Sequence, residues 1–166
     1  MNFETKRLHV RPFCEGDREK MFEMLYDESI KKTYMIPDFN SPEDAERLFS
    51  IFTGLSDSSE RYVGAISLDG ELIGFMNDTG IDGELVEMGY VISPKYQNQG
   101  YCTEALKCAI EYLFKHGFSE VICGAFEDNA PSIRVMQKCG MLPIDKADVI
   151  EYRGKKHKCL YYSKRK

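Results

Sequence analysis

Residues 97 to 102 read Gln97-Asn98-Gln99-Gly100-Tyr101-Cys102 and stand between a strand-like run and a helix-like run. Upstream, Met88-Gly89-Tyr90-Val91-Ile92 is apolar and β-prone, and Ser93-Pro94 closes it. Downstream, Ala105, Leu106, Ala109, Ile110 and Leu113 recur at helical spacing. A short polar loop with a glycine that opens a helix presents backbone N–H groups lacking intrahelical acceptors. With the positive end of the helix dipole, those donors suit an anion such as a pyrophosphate. The stretch has neither the Gly-Lys-Ser/Thr start of a Walker loop nor the Gly-x-Gly-x-x-Gly spacing of a dinucleotide fold.

The rest of the chain supplies alternating elements around this loop. Leu8-His9-Val10-Arg11 reads as a short strand ended by Pro12, and Asp17 as the cap of a helix carrying Met21, Phe22, Met24 and Leu25. Ser41-Pro42-Glu43-Asp44 reads as a capped helix start, with the helix running to about Leu55. Asp69-Gly70 joins strands at 62–68 and 72–76 as a two-residue hairpin. A third strand covers 84–92, and the helix after the loop runs from about Gly100 to His116 and stops at Gly117. A strand at 120–126, a helix from Asn129 to Gly140, and strands at 144–152 and 155–162 joined by Arg153-Gly154 complete the chain. The order is β, α, α, β, β, β, α, β, α, β, β, a mixed α/β (α+β) pattern. The crossover from residue 84 to 126 makes one neighbouring strand pair parallel.

Length and composition narrow the class. A chain of 166 residues, 43% hydrophobic and 30% charged, is expected to be a single domain over 1–166 with a substantial core. No apolar run approaches the ~20 residues that span a bilayer, and residues 1–7 lack a signal-peptide core. A cytoplasmic protein with no membrane partner is expected. Its cysteines, Cys14, Cys102, Cys108, Cys123, Cys139 and Cys159, then read as reduced thiols. No Cys-x-x-Cys occurs, and His9, His116 and His157 are scattered, so no metal is expected.

The net charge of −5 is unevenly spread. Residues 153–166 hold seven basic side chains and no acid, leaving 15 basic against 27 acidic in the remainder, a net −12. An acidic body fits a cationic substrate such as an amine, and equally a merely soluble surface. The basic stretch alternates with Leu160, Tyr161 and Tyr162, which reads as an edge strand with charged gatekeepers rather than a nucleic-acid tail.

The order of elements, together with the loop at 97–102, resembles the GNAT superfamily of acetyl-CoA-dependent N-acetyltransferases. That family carries Gln/Arg-x-x-Gly-x-Gly/Ala between its fourth strand and the following helix. The block from Asn129-Ala130-Pro131-Ser132 to Cys139-Gly140-Met141 resembles the family's second cofactor block, in the Asn-x-x-Ser form of the RimJ/RimL-type branch. Residues 4–12 and Tyr152-Arg153-Gly154-Lys155-Lys156-His157 resemble that branch too. Two positions depart from the family pattern: Cys102 replaces the last small residue, and Met136 stands where many members have a thiolate-protonating tyrosine.

The resemblance implies a mostly antiparallel mixed sheet of about six to seven strands flanked by about four helices. It implies acetyl-CoA as co-substrate, without a metal, and a primary amine as acceptor. The branch points first to the α-amine of a protein or peptide N-terminus. A small amine such as a polyamine or an amine-bearing antibiotic, and a non-catalytic acyl-CoA-binding module, stay open. A homodimer is the family's habit. The amides of Gln99, Gly100, Tyr101, Cys102 and Thr103 would hold the pyrophosphate, and Gln97 and Asn98 of the same loop are expected among the cofactor-binding residues. Val91 and Ile92 would pair with the pantetheine arm, with an N–H there facing the thioester oxygen. Val135 lies in the second block.

Glu87 reads either as the general base or as a solvated strand carboxylate. Ser132 reads either as a partner of the cofactor sulfur or as a helix-start serine. Asn129 reads as a pantetheine contact, a helix cap, or both. Tyr34, Tyr90 and Tyr101 could line a pocket or pack. Residues 30–40 and 145–155 are expected on the acceptor side.

Overall fold

The computed structural model describes residues 1–36, 38–39 and 41–166; Pro37 and Asn40, within the expected acceptor-side stretch, lie outside the described residues. In chain order the elements are β1 (Phe3–Glu4), β2 (His9–Arg11), α1 (Arg18–Tyr26), α2 (Glu28–Lys31), α3 (Pro42–Ser56), β3 (Gly64–Leu68), β4 (Glu71–Asp82), β5 (Leu85–Ile92), α4 (Tyr101–Lys115), β6 (Glu120–Phe126), α5 (Ala130–Lys138), β7 (Leu142–Tyr152) and β8 (Lys155–Arg165). The strands form one mostly antiparallel sheet in the order β1-β2-β3-β4-β5-β6-β8-β7. The expected crossover pair, β5 and β6, is parallel over Leu85–Glu87 and Glu120–Ile122. Among the described residues, eight strands and five α-helices exceed the six to seven and four expected. The additions are two-residue β1 and four-residue α2, too short to leave a periodic pattern in sequence.

Turn chemistry sets two of the hairpins. Asp69 and Gly70 have φ of 50° and 89°, and Arg153 and Gly154 have φ of 50° and 71°. Paired left-handed residues match the twist of flanking strands, so β3–β4 and β7–β8 pair across two-residue turns. The basic stretch 155–165 is not the edge strand expected from its alternation. β8 lies between β6 and β7, and β7 is the outer strand, with Leu142 and Val149 exposed.

Two compact units divide the chain: Met1–Asn77 with Tyr90–Ala105, and Asp78–Gly89 with Leu106–Lys166. The first unit is built on Phe13, Met21, Met24, Leu25, Phe49, Leu72, Phe75 and Val91, all buried. Phe13, Phe52 and Phe75 meet edge-on or tilted at 5.3–6.5 Å, geometries that aromatic quadrupoles favour. Asp17 does not cap α1. Its buried carboxylate instead takes both Arg11 Nη atoms at 2.7 and 2.8 Å and the Cys14 N–H at 2.9 Å. Ser41 precedes α3 with extended backbone but makes no side-chain cap, whereas Asp27 caps α2 through the Ser29 and Ile30 N–H groups.

In the second unit, Leu106, Ile110 and Leu113 of α4 are buried with Val121 and Cys123 of β6 and Met136 of α5. Each such aliphatic side chain contributes about 1.5–3 kcal/mol when removed from water. Both helices end in Schellman motifs. Phe118 N–H reaches Leu113 O at 3.2 Å behind Gly117, and Met141 N–H reaches Met136 O at 3.1 Å behind Gly140. Each glycine has positive φ, 102° and 75°.

Candidate active site

In the first unit the Gln97–Cys102 loop is shaped by two left-handed residues, Asn98 at φ 61° and Gly100 at φ 81°. Gly100 turns the chain into α4, and the Glu104 N–H makes a helical bond to Gly100 O at 3.0 Å. The amides of Gln99, Gly100 and Tyr101 therefore precede the helical ladder, at the positive end of its dipole. A Cβ at position 100 would lie 3.6 Å from Arg7 Nη2. Backbone conformation and the nearby cation both fit a pyrophosphate here.

Arg7 braces this loop, and motif reading alone did not single it out. Its Nη1 donates to Gln99 O at 3.1 Å, its Nε to Glu104 at 2.7 Å, and its guanidinium lies 4.3 Å from the Tyr101 ring centroid. Thr5 Oγ1 and the Arg7 N–H also donate to Glu104 Oε1, at 2.6 and 2.8 Å. Burial acts to raise the Glu104 carboxyl, but the Thr5 and Arg7 bonds outweigh it and hold the group below the usual carboxylate range.

Val91 and Ile92 are buried at the end of β5. Gly74 lets β4 approach them closely: a Cβ there would lie 2.3 Å from Val91 O. Ser93 N–H continues the pairing to Ile73 O at 2.8 Å. The side chains of the loop glutamines turn to protein backbone. Gln97 Nε2 donates to Ile92 O at 3.0 Å and Gln99 Nε2 to Lys95 O at 3.2 Å. Cys102 and Thr103 are half-buried in the first turn of α4. Tyr34 packs edge-on against Phe75 at 5.7 Å and donates its hydroxyl to Asn77, so it belongs to this unit's core.

In the second unit, Asn129 caps α5 by accepting the Ser132 N–H at 3.3 Å, with Pro131 in the first turn. Ser132 and Val135 are half-buried on the helix, while Met136 is fully buried as a core residue. Glu87 is half-buried on β5, and both carboxylate oxygens are engaged. Oε1 accepts from Thr79 Oγ1 and Oε2 from Lys146 Nζ, each at 3.2 Å.

Lys146 also lies 3.9 Å from the Tyr161 ring centroid, and the Tyr161 hydroxyl donates to Asp148 at 2.8 Å. Burial and the Asp148 carboxylate push the Tyr161 hydroxyl well above its usual range, so it stays protonated. Thr79, Lys146, Asp148 and Tyr161 come from three strands, and only the β7–β8 register brings Asp148 opposite Cys159 and thus near Tyr161. No linear motif carries them.

Burial pushes the Cys139 thiol up to about 11 and raises Cys159 as well, so neither presents a thiolate near neutral pH. Among the described residues no group of three or more His, Cys, Asp or Glu is placed to hold a metal ion. Among them, too, no helix is long and apolar enough to cross a membrane.

The family model for the acetyltransferase (GNAT) domain matches residues 7–142. An uncharacterized N-acetyltransferase of Bacillus subtilis strain 168, YnaD, is 34% identical over 143 residues, covering 85% of this chain and 82% of its own. The crystal structure of a GNAT-family acetyltransferase from Bacillus anthracis superposes with a TM-score of 0.86 at 26% identity, over 99% of this chain and 98% of that one. The fold is also that of RimL, a ribosomal-protein alpha-N-acetyltransferase solved with coenzyme A, at a TM-score of 0.83, 14% identity and coverage of 97% and 95%.

Proposed function

Because this chain belongs to the GNAT family of acetyltransferases and is an acetyl-CoA-dependent N-acetyltransferase, we propose that it transfers the acetyl group directly to a primary amine within a ternary complex. The first acceptor class is the α-amine of a protein or peptide N-terminus. The Asn129–Ser132 block and the RimL-like fold support that choice.

The observation that carries the primary-amine reading, common to both acceptor classes, is the state of Glu87. Its carboxylate already hydrogen-bonds a primary amine, that of Lys146, at 3.2 Å. A general base must reach the proton it takes at about 2.6–3.2 Å. An α-amine, with an ordinary pKa near ~8, is partly neutral at pH 7 and needs only modest help.

Bound acetyl-CoA supplies the activated thioester. The amides from Gln99 to Thr103 hold its pyrophosphate, and Arg7 keeps that loop in place. The Val91–Ile92 backbone pairs with the pantetheine arm, and an N–H there steadies the thioester oxygen. In the second unit, Asn129 and Val135 belong to the block that resembles the family's second cofactor block. Glu87 first takes one proton from the acceptor ammonium and so frees the nitrogen lone pair; the neutral amine then forms the C–N bond as the C–S bond breaks, and the second nitrogen proton passes to the departing sulfur, which leaves as the free thiol. The Ser132 hydroxyl donates a hydrogen bond to the departing sulfur.

Thiol release from acetyl-CoA over an amine panel tests this reading. A peptide with a free N-terminus and no lysine is expected to release thiol, and its N-acetylated form is expected to release none. Glu87→Gln is expected to lower kcat about a hundredfold, the smaller end of general-base effects. Tight acetyl-CoA binding without amine-dependent release would leave only an acyl-CoA-binding module. A second acceptor class, a small alkylamine, is favoured by the same Glu87–Lys146 pair, because the amine held there stands on an unbranched alkyl chain.

A further inference from the structure

Lys146 stands where β7 departs from regular pairing, between Pro143 and Ala147. Its ammonium meets two groups suited to an alkylammonium: the Glu87 carboxylate at 3.2 Å and the face of the Tyr161 ring at 3.9 Å. Both groups are fixed by neighbours. Thr79 Oγ1 holds Glu87 Oε1 at 3.2 Å, and the Tyr161 hydroxyl is tied to Asp148 at 2.8 Å. Gly124, opposite Tyr161 in the β6–β8 register, leaves room for the ring, since a Cβ there would lie 2.8 Å from Tyr161 Cε1.

The carboxylate and the ring each have a second partner, Thr79 and Asp148, and the lysine is the more exposed member of the ion pair, at 42% against 27% for Glu87. An exposed ion pair on a flexible stem contributes little and exchanges readily.

We propose that Glu87 and Tyr161 form a primary-alkylammonium site that Lys146 fills in the absence of substrate, and that the acceptor amine enters by displacing it. The inference rests on reading Glu87 as the acceptor's base. Lys146 is then an internal competitor. It shields the base from water and small cations, and it raises the acceptor concentration needed for half-saturation. An acceptor with an unhindered primary ammonium matches the vacated contacts, whereas a quaternary amine has no N–H to offer Glu87.

Steady-state kinetics and NMR test this together. Lys146→Met and Lys146→Gln remove the competitor's charge and are expected to lower the acceptor KM about three- to tenfold with kcat within twofold. Lys146→Arg keeps the charge and is expected to keep a KM near the parent's. In the parent protein, the Lys146 methylene protons are expected upfield under the Tyr161 ring current, and titrated butylamine is expected to move them to exposed-lysine positions. An unchanged or raised KM in both neutral variants, or Lys146 resonances unmoved at saturating butylamine, would overturn the proposal. The NMR arm needs no turnover. Displacement without thiol release from any amine would sink the acetyl-transfer reading and leave the ammonium site standing.

Discussion

Arg7 shows how one side chain can brace a loop from outside it, here the Gln97–Cys102 loop proposed to hold the pyrophosphate. It ties Gln99 O, Glu104 and the Tyr101 ring into one assembly within the first unit. A planar fork is needed for this, because one face stacks on the tyrosine while the edge divides its donors between a carbonyl and a carboxylate. Arg7→Ala and Arg7→Lys are both expected to weaken acetyl-CoA binding about five- to tenfold by isothermal titration calorimetry. Their stability should fall by under about 1 kcal/mol, since the arginine side chain is 39% exposed. Equal affinity in parent and variants would refute the bracing role. Gly100 was legible in sequence because a loop glycine before a helix has a stated conformational reason, here φ 81°. Arg7 was not, because its partners lie more than ninety residues away. Lys146 and Tyr161 were hidden because Glu87 lies 59 residues from Lys146 and only the β7–β8 pairing brings Lys146 and Asp148 to Tyr161.

At the level of elements, β4 contains an internal contrast between two glycines. A Cβ on Gly74 would lie 2.3 Å from Val91 O and 3.2 Å from Ile92 Cα, both backbone atoms that have no room to yield. A Cβ on Gly80 would meet nothing within 4 Å. Gly74→Ala is therefore expected to cost about 1–3 kcal/mol, as overpacking does. Gly80→Ala is expected to be neutral or to stabilise by up to about 1 kcal/mol through the unfolded chain. Urea denaturation of the two variants decides it, and similar midpoints would refute the close approach of β4 and β5 there.

Sequence located nearly every element, since helical spacing in α4 and the Asp69-Gly70 and Arg153-Gly154 turns are local signals. It misplaced what depends on neighbours. The alternation in β8 suits an edge, yet β7 covers its other side. Asp17 looked like a cap because capping residues precede helices, but a guanidinium six residues upstream claims its carboxylate.

For the whole molecule, charge distribution sets the response to solution conditions. The basic stretch at 153–166 is partly engaged within its own unit. Arg165 pairs with Glu120 and Lys158 with Glu127, and Lys164 and Lys166 donate to the carbonyls of Cys139 and Phe114. The acidic side of the ledger carries the pH dependence. At Asp17 burial alone would raise the carboxyl, but the Arg11 hydrogen bonds and the Cys14 N–H reverse the effect and hold it below its ordinary value. Glu104 is lowered in the same sense.

A carboxylate with a folded pKa below its unfolded value binds protons more readily when unfolded. Its contribution is thus full above the unfolded pKa and is lost as pH falls toward the folded one. The thermal midpoint is therefore expected to be flat from about pH 7 to 5 and to fall progressively below about pH 4. Arg11→Met separates the Asp17 share. Removing one partner of a buried pair costs about 3–5 kcal/mol at neutral pH, and Asp17, deprived of its cation, then folds more favourably when protonated. The variant should be less stable than the parent at pH 7, with the gap narrowing as pH drops through 4. Calorimetric scans across that range, showing parallel curves for parent and Arg11→Met, would refute the assignment of acid sensitivity to the Arg11–Asp17 pair.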